Sequence, residues 1–499
     1  MDTANIETIA FGTDGWRDTR EALTPIRLQA VAAAVSTVVA ERGRREDPVA
    51  VGYDARAGAS EAAREVAAGL AANGHDVLFA ERDCPTPALA YAVVDRDLAG
   101  ALTITASHNP PSDSGVKFIP EDGAPARPKQ TDAIETALQS VDIPPLAPKP
   151  DIGPKPLATE AQITDGATES PVRDRPLSGH CEEVDFCRPH VDAVLERLGA
   201  DLEGVTVAYD AMYGSGRGCT DAALAAAGAD VIRLRCGRDP TFGGGAPNPT
   251  PGRLAALTDR VVDGPADIGI ANDGDADRVA VVTEDGPLDA NRLFAVLYDY
   301  LLAATDTPAP AVRTVSTTFL IDRIADAHGT TAVETPVGFK WVAETMAEHD
   351  ALIGGEESGG FTIRDHIRLK DGVLTGVLAA MAAADQPLTD RLATLVDTYG
   401  DIKQARRSLE CPDAKKAPTM AALTSHPPES ITGTAVDEIN DADGSKFLLA
   451  DGAWLLVRPS GTEAKLRIYA EAATDDRVEA LLTAGEALIN DARESAELD

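Results

Sequence analysis

Positive charge, paired cysteines and long apolar runs are what this 499-residue sequence has little of. Lysine and arginine together number 45 against 81 aspartates and glutamates, and only 11 of the 45 are lysine. The formal net charge is −36, with the acidic residues spread along the chain rather than gathered in a tail. Such a surface repels nucleic acid and anionic membrane, which excludes both as expected partners. The six cysteines (Cys84, Cys181, Cys187, Cys219, Cys236, Cys411) show neither metal-ligand nor disulfide-framework spacing, so reduced thiols are expected. No stretch is apolar for long enough to cross a bilayer. Met1-Asp2-Thr3-Ala4-Asn5 is not a basic segment leading into an apolar one, and a cytoplasmic location is the expectation.

What the chain does have is 44% hydrophobic residues, enough for real cores, over a length that suits about three or four domains. Residues 1–145 alternate helical and strand-like segments: Leu28–Arg42, Val49–Asp54, Ser60–Asn73, Asp76–Phe79 and Ala101–Thr105. Alternation of this kind predicts a parallel or mixed sheet with helices on its faces. Residues 146–180 are rich in proline and polar residues and read as a linker or loop. Residues 181–289 and 290–400 repeat the α/β pattern, with strands expected at Val205–Tyr209, Ile268–Ala271, Thr314–Thr317 and Ala351–Ile353. Residues 401–499 differ. Two strands, Trp454–Arg458 and Lys465–Glu471, flank a Pro-Ser-Gly loop before helix Arg477–Asp491, the pattern of a small α+β domain.

Four stretches carry chemistry. Thr103-Ile104-Thr105-Ala106-Ser107-His108-Asn109-Pro110 places Ser107 at a strand-to-loop corner, because the prolines at 110 and 111 forbid continuation of the strand. A serine there is a nucleophile, a phosphate acceptor or a turn-former, and taken alone the stretch reads first as a turn. In Asp273-Gly274-Asp275-Ala276-Asp277-Arg278 the alternating carboxylates of an extended loop point to one side, as three hard oxygen donors for Mg²⁺ or a similar cation. A calcium loop closing on Glu284 is the rival, opposed by Arg278 where glycine is required and by strand-like flanks. Gly354-Gly355-Glu356-Glu357-Ser358-Gly359-Gly360 offers carboxylates and a hydroxyl for a polyhydroxyl ligand, or is a plain turn. Arg458-Pro459-Ser460-Gly461-Thr462-Glu463, with Lys465 and Arg467 beyond, is a phosphate cradle or a hairpin with surface cations. Gly338 and Lys340 form a further glycine-lysine turn, and His366-Ile367-Arg368-Leu369-Lys370 adds a group that titrates near neutrality.

In this order along nearly the whole chain, the four stretches resemble the signatures of the α-D-phosphohexomutase superfamily, and most closely its phosphoglucomutase branch. The resemblance implies an α/β protein of four domains, three related α/β domains with mixed sheets and a C-terminal α+β domain like the TATA-box-binding protein. It assigns residues 1–145 as domain I, 181–289 as domain II, 290–400 as domain III and 401–499 as domain IV. It implies a mutase interconverting hexose 1-phosphate and hexose 6-phosphate, with glucose phosphate first and mannose phosphate or dual specificity as the alternative; a sugar-phosphate-binding protein without mutase activity is the rival from another class. Ser107 would be the phosphoserine, with glucose 1,6-bisphosphate as intermediate and activator. Asp273, Asp275, Asp277 and the phosphate on Ser107 would hold Mg²⁺. Arg17, His108, Lys117, Arg278 and His366 would serve the transfer, the acid/base being Lys117, Arg17 or His366. Gly338, Lys340, Glu356 and Ser358 would grip the sugar, and Arg458, Ser460, Gly461, Thr462 and Arg467 the phosphate that is not reacting. The partners are then small hexose phosphates, and the protein a monomer or dimer. Asp18 departs from the family, which has glycine there, and sets a like charge near a phosphate site.

An acidic excess of this size points to a cytoplasm of high ionic strength, as in halophiles, since about 1 M salt shortens the Debye length to about 3 Å. The melting temperature is expected to rise steeply from dilute buffer into molar KCl. Equal stability in dilute buffer would overturn the expectation.

Overall fold

The computed structural model describes every residue except 1–5, 7, 13–14, 141–145, 153–177, 462 and 497–499. The chain forms two compact units, Met1–Pro287 with Asp365–Ala384, and Leu288–Arg364 with Asp385–Asp499. Among the described residues no helix is long and apolar enough to cross a membrane.

The first unit holds two mixed sheets. One runs Trp16–Thr19, Asp113–Pro120, Gly100–Ile104, Val49–Tyr53, Val77–Ala80, Cys181–Val184. The first three strands are antiparallel neighbours, and from Gly100–Ile104 onward the pairing is parallel. Val49–Tyr53 and Gly100–Ile104 are buried along their whole length, as central parallel strands covered on both faces must be. Helix Pro25–Glu41 opens with proline at its first turn and packs its small Ala and Val residues against helix Ala59–Ala72. Four strands of the second sheet run Val279–Thr283, Ile268–Asn272, Thr206–Asp210, Asp230–Leu234, with Val279–Thr283 antiparallel to Ile268–Asn272 and the others parallel.

Two segments pack away from the rest of the stretch they were counted with. Cys181–Val184, counted with 181–289, is the edge strand of the first sheet, because Val77–Ala80 offers it an open parallel edge. Residues 365–384, counted within 290–400, belong to the first unit. Helix Gly372–Asp385 is apolar almost all round and must be buried on every side, and Gly372 backs directly onto the carbonyls of Arg278 and Ala276. Most of the linker expected at 146–180 lies outside the described residues.

In the second unit one sheet runs Ala332–Thr335, Ala311–Thr314, Ile353–Glu356, Gly360–Ile363, parallel except for its last pair. Its strands sit off the expected positions, at Ala311–Thr314 rather than Thr314–Thr317 and at Ile353–Glu356 rather than Ala351–Ile353. Gly354 and Gly355 read as a turn, yet they pair as strand residues, and glycine is required there because a Cβ would collide with Met346, Val342 and Phe361. The other sheet is antiparallel throughout: Lys403–Glu410, Lys465–Ala472, Trp454–Pro459, Ser445–Leu449, Thr434–Asn440, Ser430–Ile431. Helices Asp413–Ser425 and Asp475–Ala496 pack on it around a core that includes Leu455, Val457, Ile468 and Leu481.

A buried glutamate sits in this unit. Glu471 Oε1 accepts from Trp454 Nε1 at 2.9 Å and from the Phe319 amide at 3.0 Å. Burial outweighs these donors and raises its carboxyl above the ordinary 4.5. The folded state therefore binds the proton more tightly than the unfolded one, a contribution complete below pH 4.5 and lost as pH rises through the raised value. Glu471→Gln keeps the acceptor oxygen and removes the charge. Its melting temperature should exceed the wild type's at about pH 7.5, with the gain shrinking toward about pH 4, as read by calorimetry.

Candidate active site

Ser107 lies three residues past the end of strand Gly100–Ile104, with φ of +51°, the left-handed region that a non-glycine residue enters only under constraint. The constraint is visible. The Ser107 amide donates to Thr105 Oγ1 at 2.8 Å, and Thr105 Oγ1 donates in turn to Asp54 Oδ2 at 2.7 Å. Arg56, buried and paired with Asp54 at 2.7 Å, donates to the carbonyls of Ser107, Pro110 and Asp113. The sequence reading missed Arg56 and Asp54, although an Asp-x-Arg at a strand's carboxyl end is the available signal.

The Ser107 hydroxyl donates to Asp273 Oδ2 at 2.8 Å, and His108 Nδ1 lies 3.4 Å from the same hydroxyl. Burial first, then the charges of Arg278 and Arg17, push the His108 imidazole down to about 2, so it stands neutral. Gly274 lets the two loops touch, since a Cβ there would come within 2.5 Å of the Ser107 carbonyl.

Asp273, Asp275 and Asp277 are buried, and their carboxylates converge so that one oxygen of each lies within 4.8 Å of the others. They do so by a tight turn rather than by the alternation of an extended loop. The Ala276 amide closes on the Asp273 carbonyl at 3.2 Å and Ala276 has φ of +54°. The flanking strands form an antiparallel hairpin, which rules out the helix-flanked calcium loop. Three cations face the carboxylates. Lys117 Nζ is 3.1 Å from Asp275 Oδ2 and 3.5 Å from Asp277 Oδ2, Lys370 Nζ is 3.2 Å from Asp277 Oδ2, and Arg278 Nε is 3.7 Å from Asp277 Oδ1. Burial would raise Asp277, but Lys370, Lys117 and Arg278 outweigh it and hold the carboxyl far below its usual range. Asp273 goes the other way, raised by burial and then by the charges of Asp277 and Asp275.

A divalent cation fits this donor set. Asp275 Oδ1 and Asp277 Oδ1 are buried acceptors without a hydrogen-bond donor, and hard carboxylate oxygens suit Mg²⁺.

Of the other residues named from the sequence in this unit, Arg17 lies on Trp16–Thr19 and its charge is felt by His108. Asp18 is engaged by Arg27 at 3.4 Å and accepts from the Thr19 amide at 2.8 Å, which partly neutralises it. His366 Nε2 is hydrogen-bonded to Asp371 Oδ2 at 2.7 Å, an oxygen it shares with His190 Nε2 at 2.7 Å. Lys370, at the end of the same stretch as His366, was given no role from the sequence and faces Asp277.

The second unit carries the remaining stretches. Glu356 ends strand Ile353–Glu356, where its Oε1 accepts from the Gly338 amide at 3.1 Å and Ser358 Oγ lies 3.4 Å from its Oε2. Its neighbour Glu357 turns onto the hydroxyls of Ser316 at 2.8 Å and Thr314 at 3.3 Å. Lys340 lies in helix Phe339–His349 with its Nζ 5.3 Å from the centre of the Trp341 ring. Arg458, at the end of Trp454–Pro459, contacts Asp443 at 3.0 Å. Ser460 is buried and Gly461 exposed, and Lys416 Nζ donates to the carbonyls of Ser460 and Glu463 at 2.7 and 2.6 Å. Arg467 is paired with Glu463 at 2.8 Å. Thr462 lies outside the described residues.

Residues 8–143 match the family description phosphoglucomutase/phosphomannomutase, alpha/beta/alpha domain I, and residues 188–286, 289–399 and 409–484 match its domains II, III and C-terminal domain. The chain is similar to a phosphoglucosamine mutase of Frankia alni, 32% identical over 94% of this chain and 95% of that one. A phosphoglucomutase/phosphomannomutase of Thermococcus kodakarensis is 28% identical over 97% and 98% of the two chains. Among solved structures, a phosphoglucomutase/phosphomannomutase family protein from Burkholderia thailandensis has the same fold, with a TM-score of 0.80 and 21% identity over 98% of each chain.

The crowding of buried carboxylates has a measurable consequence. In EDTA, Asp273→Asn should melt above the wild type, because the carboxyl most repelled by its neighbours is gone. Adding Mg²⁺ should stabilise the wild type by about 2.7 kcal/mol at a hundredfold excess over Kd and the variant far less. Equal Mg²⁺ shifts in the two proteins would count against a metal on these residues.

Proposed function

The chain belongs to the phosphoglucomutase/phosphomannomutase family of α-D-phosphohexomutases, and from that premise we propose that it interconverts α-D-glucose 1-phosphate and glucose 6-phosphate through a phosphate carried on Ser107. The observation that carries the reading is the Ser107 hydroxyl on Asp273 inside a ring of three carboxylates and three cations. Ring charges of that kind cancel one another. A phosphate on Ser107 adds about −1.5 to −2, which a divalent cation on Asp273, Asp275 and Asp277 offsets.

Bound there, Mg²⁺ would supply Lewis-acid polarisation of the phosphate oxygens. The protein's own groups do the rest. A sugar hydroxyl attacks phosphorus and gives its proton to the acid/base, the bond from phosphorus to Ser107 Oγ breaks, and a proton delivered to Oγ restores the serine hydroxyl, which donates to Asp273 again. Lys117 and Arg278 neutralise charge as it shifts, which is most of what phosphoryl transfer requires. Among the acid/base candidates, a guanidinium exchanges its proton poorly and His366 shares Asp371 Oδ2 with His190, so the reading assigns Lys117, which stands among the carboxylates that face Ser107. In the second unit Glu356, Ser358, Gly338 and Lys340 are assigned to the sugar, and Arg458, Ser460, Gly461, Thr462 and Arg467 to the distal phosphate. The hexose 1,6-bisphosphate then turns over and returns its other phosphate to Ser107.

Glucosamine phosphate is the second reading. The likeness to a phosphoglucosamine mutase favours it.

Turnover of glucose 1-phosphate, mannose 1-phosphate and glucosamine 1-phosphate side by side, with Mg²⁺, glucose 1,6-bisphosphate and molar KCl, decides the sugar. The highest kcat/KM is expected on glucose 1-phosphate, and a clear preference for another sugar would replace that part of the reading. Ser107→Ala should fold and lose nearly all turnover, while intact mass finds phosphate on the wild type alone. Near-normal turnover of Ser107→Ala would sink the mechanism.

A further inference from the structure

The turn between strands Thr434–Asn440 and Ser445–Leu449 grips residues 334–337 at three points. Asn440 Nδ2 donates to Glu334 Oε1 at 2.6 Å and Lys446 Nζ to Glu334 Oε2 at 2.6 Å. Between them, Asp443 Oδ2 accepts from the Val337 amide at 3.0 Å. The same Asp443 oxygen accepts from Arg458, with Nε and Nη2 each at 3.0 Å. Gly444 makes this approach possible. It has φ of +101°, and a Cβ there would stand 2.3 Å from the Val457 carbonyl and 2.7 Å from Arg458 Cβ.

One carboxylate oxygen thus ties a cation to a backbone amide 121 positions earlier in the chain (458 − 337). The next amide, that of Gly338, donates to Glu356 at 3.1 Å. A continuous path therefore runs Arg458, Asp443, Val337–Gly338, Glu356, wholly inside the second unit. It links the residue assigned to the distal phosphate with the one assigned to the sugar hydroxyls.

We propose that Asp443 is a positioning residue that sets Arg458 and the 336–340 loop in one fixed relation, so that the grips on phosphate and on sugar are formed together. The proposal rests on the phosphohexomutase reading above. Its chemistry is that of an internal counter-ion. Asp443 fixes one edge of the guanidinium through Nε and Nη2, and the side chains of Asp443 and Arg458 keep 20% and 10% of their exposure, enough for an incoming phosphate to meet the cation without expelling its partner. A bisphosphate that must be held in two orientations by the same loops needs their spacing held constant, which a rigid bridge provides.

The test uses the full-length protein with Mg²⁺ and glucose 1-phosphate, comparing Asp443→Ala, Asp443→Asn, Arg458→Ala, Glu356→Gln and the double variants. Asp443→Ala should raise KM roughly ten- to hundredfold, the range for losing a charged hydrogen-bond partner, with a much smaller change in kcat. Its melting temperature should stay close to the wild type's, and intact mass should still find phosphate on Ser107. Asp443→Asn keeps an acceptor for the Val337 amide and should fall between. In double variants, Asp443→Ala should add no more than about twofold to the KM of Arg458→Ala or of Glu356→Gln. Unchanged KM in Asp443→Ala, or effects that multiply fully in both double variants, would overturn the proposal. Should the alanine variant not fold, Asp443→Asn decides in the same cycles. If Arg458→Ala and Glu356→Gln themselves leave KM unchanged, the assignment of phosphate and sugar to this unit fails, and the coupling fails with it. If they raise KM and Asp443→Ala does not, only the coupling fails.

Discussion

Three buried carboxylates held within 4.8 Å of one another are the constraint to which the first unit answers. Their mutual repulsion in a dry interior is large, and the chain offsets it with Lys117 from one sheet, Arg278 from the turn itself and Lys370 from a segment nearly a hundred residues further on. The uneven result is informative. Asp277, which meets all three cations, keeps its charge, whereas Asp273, which meets the serine, has its carboxyl raised. A divalent cation fits a site in this state, and under the proposed reading it would offset the charge of a phosphate on Ser107.

Ser107 is strained, and its support is rigid. The left-handed corner is held from below by Asp54 and Arg56 and from the side by Thr105, all on or next to fully buried central strands. Such a backbone stores energy that the surrounding fold must supply, and it sets the hydroxyl where Asp273 can reach it. Positioning of this kind matters more to phosphoryl transfer than any one acid or base.

The second unit relies on buried ion pairs instead. Glu334 gathers Arg313, Lys446 and Asn440, and Lys446 lies over the rings of Phe319 and Trp454 at 4.3 and 4.5 Å. Buried pairs gain little net stability, since desolvation offsets most of their attraction. What they give is geometry: a directional, charge-assisted bond has one arrangement, where an apolar contact has many. Here that geometry places the 334–338 segment against the turn carrying Asp443.

Much of this was legible from the residues. Ser107 before two prolines, three alternating aspartates between strand-like segments, paired glutamates among glycines and a Pro-Ser-Gly hairpin are local chemistry, and local chemistry depends only on neighbours in sequence. The α/β alternation and the α+β character of the last domain were legible for the same reason, through the local pattern of strand-like and helical segments. The partners that support those groups from elsewhere in the chain were not. Arg56 under the serine loop, Lys370 on Asp277, Glu357 turned away onto Ser316, Cys181–Val184 on the first sheet and residues 365–384 in the first unit all depend on contacts across long stretches of chain. The sequence by itself determined which chemical groups this protein carries and at which strand ends they stand. The tertiary structure alone decided which of them meet, because the energy of a buried charge depends on its neighbours in space, and those are chosen by the packing of the whole core.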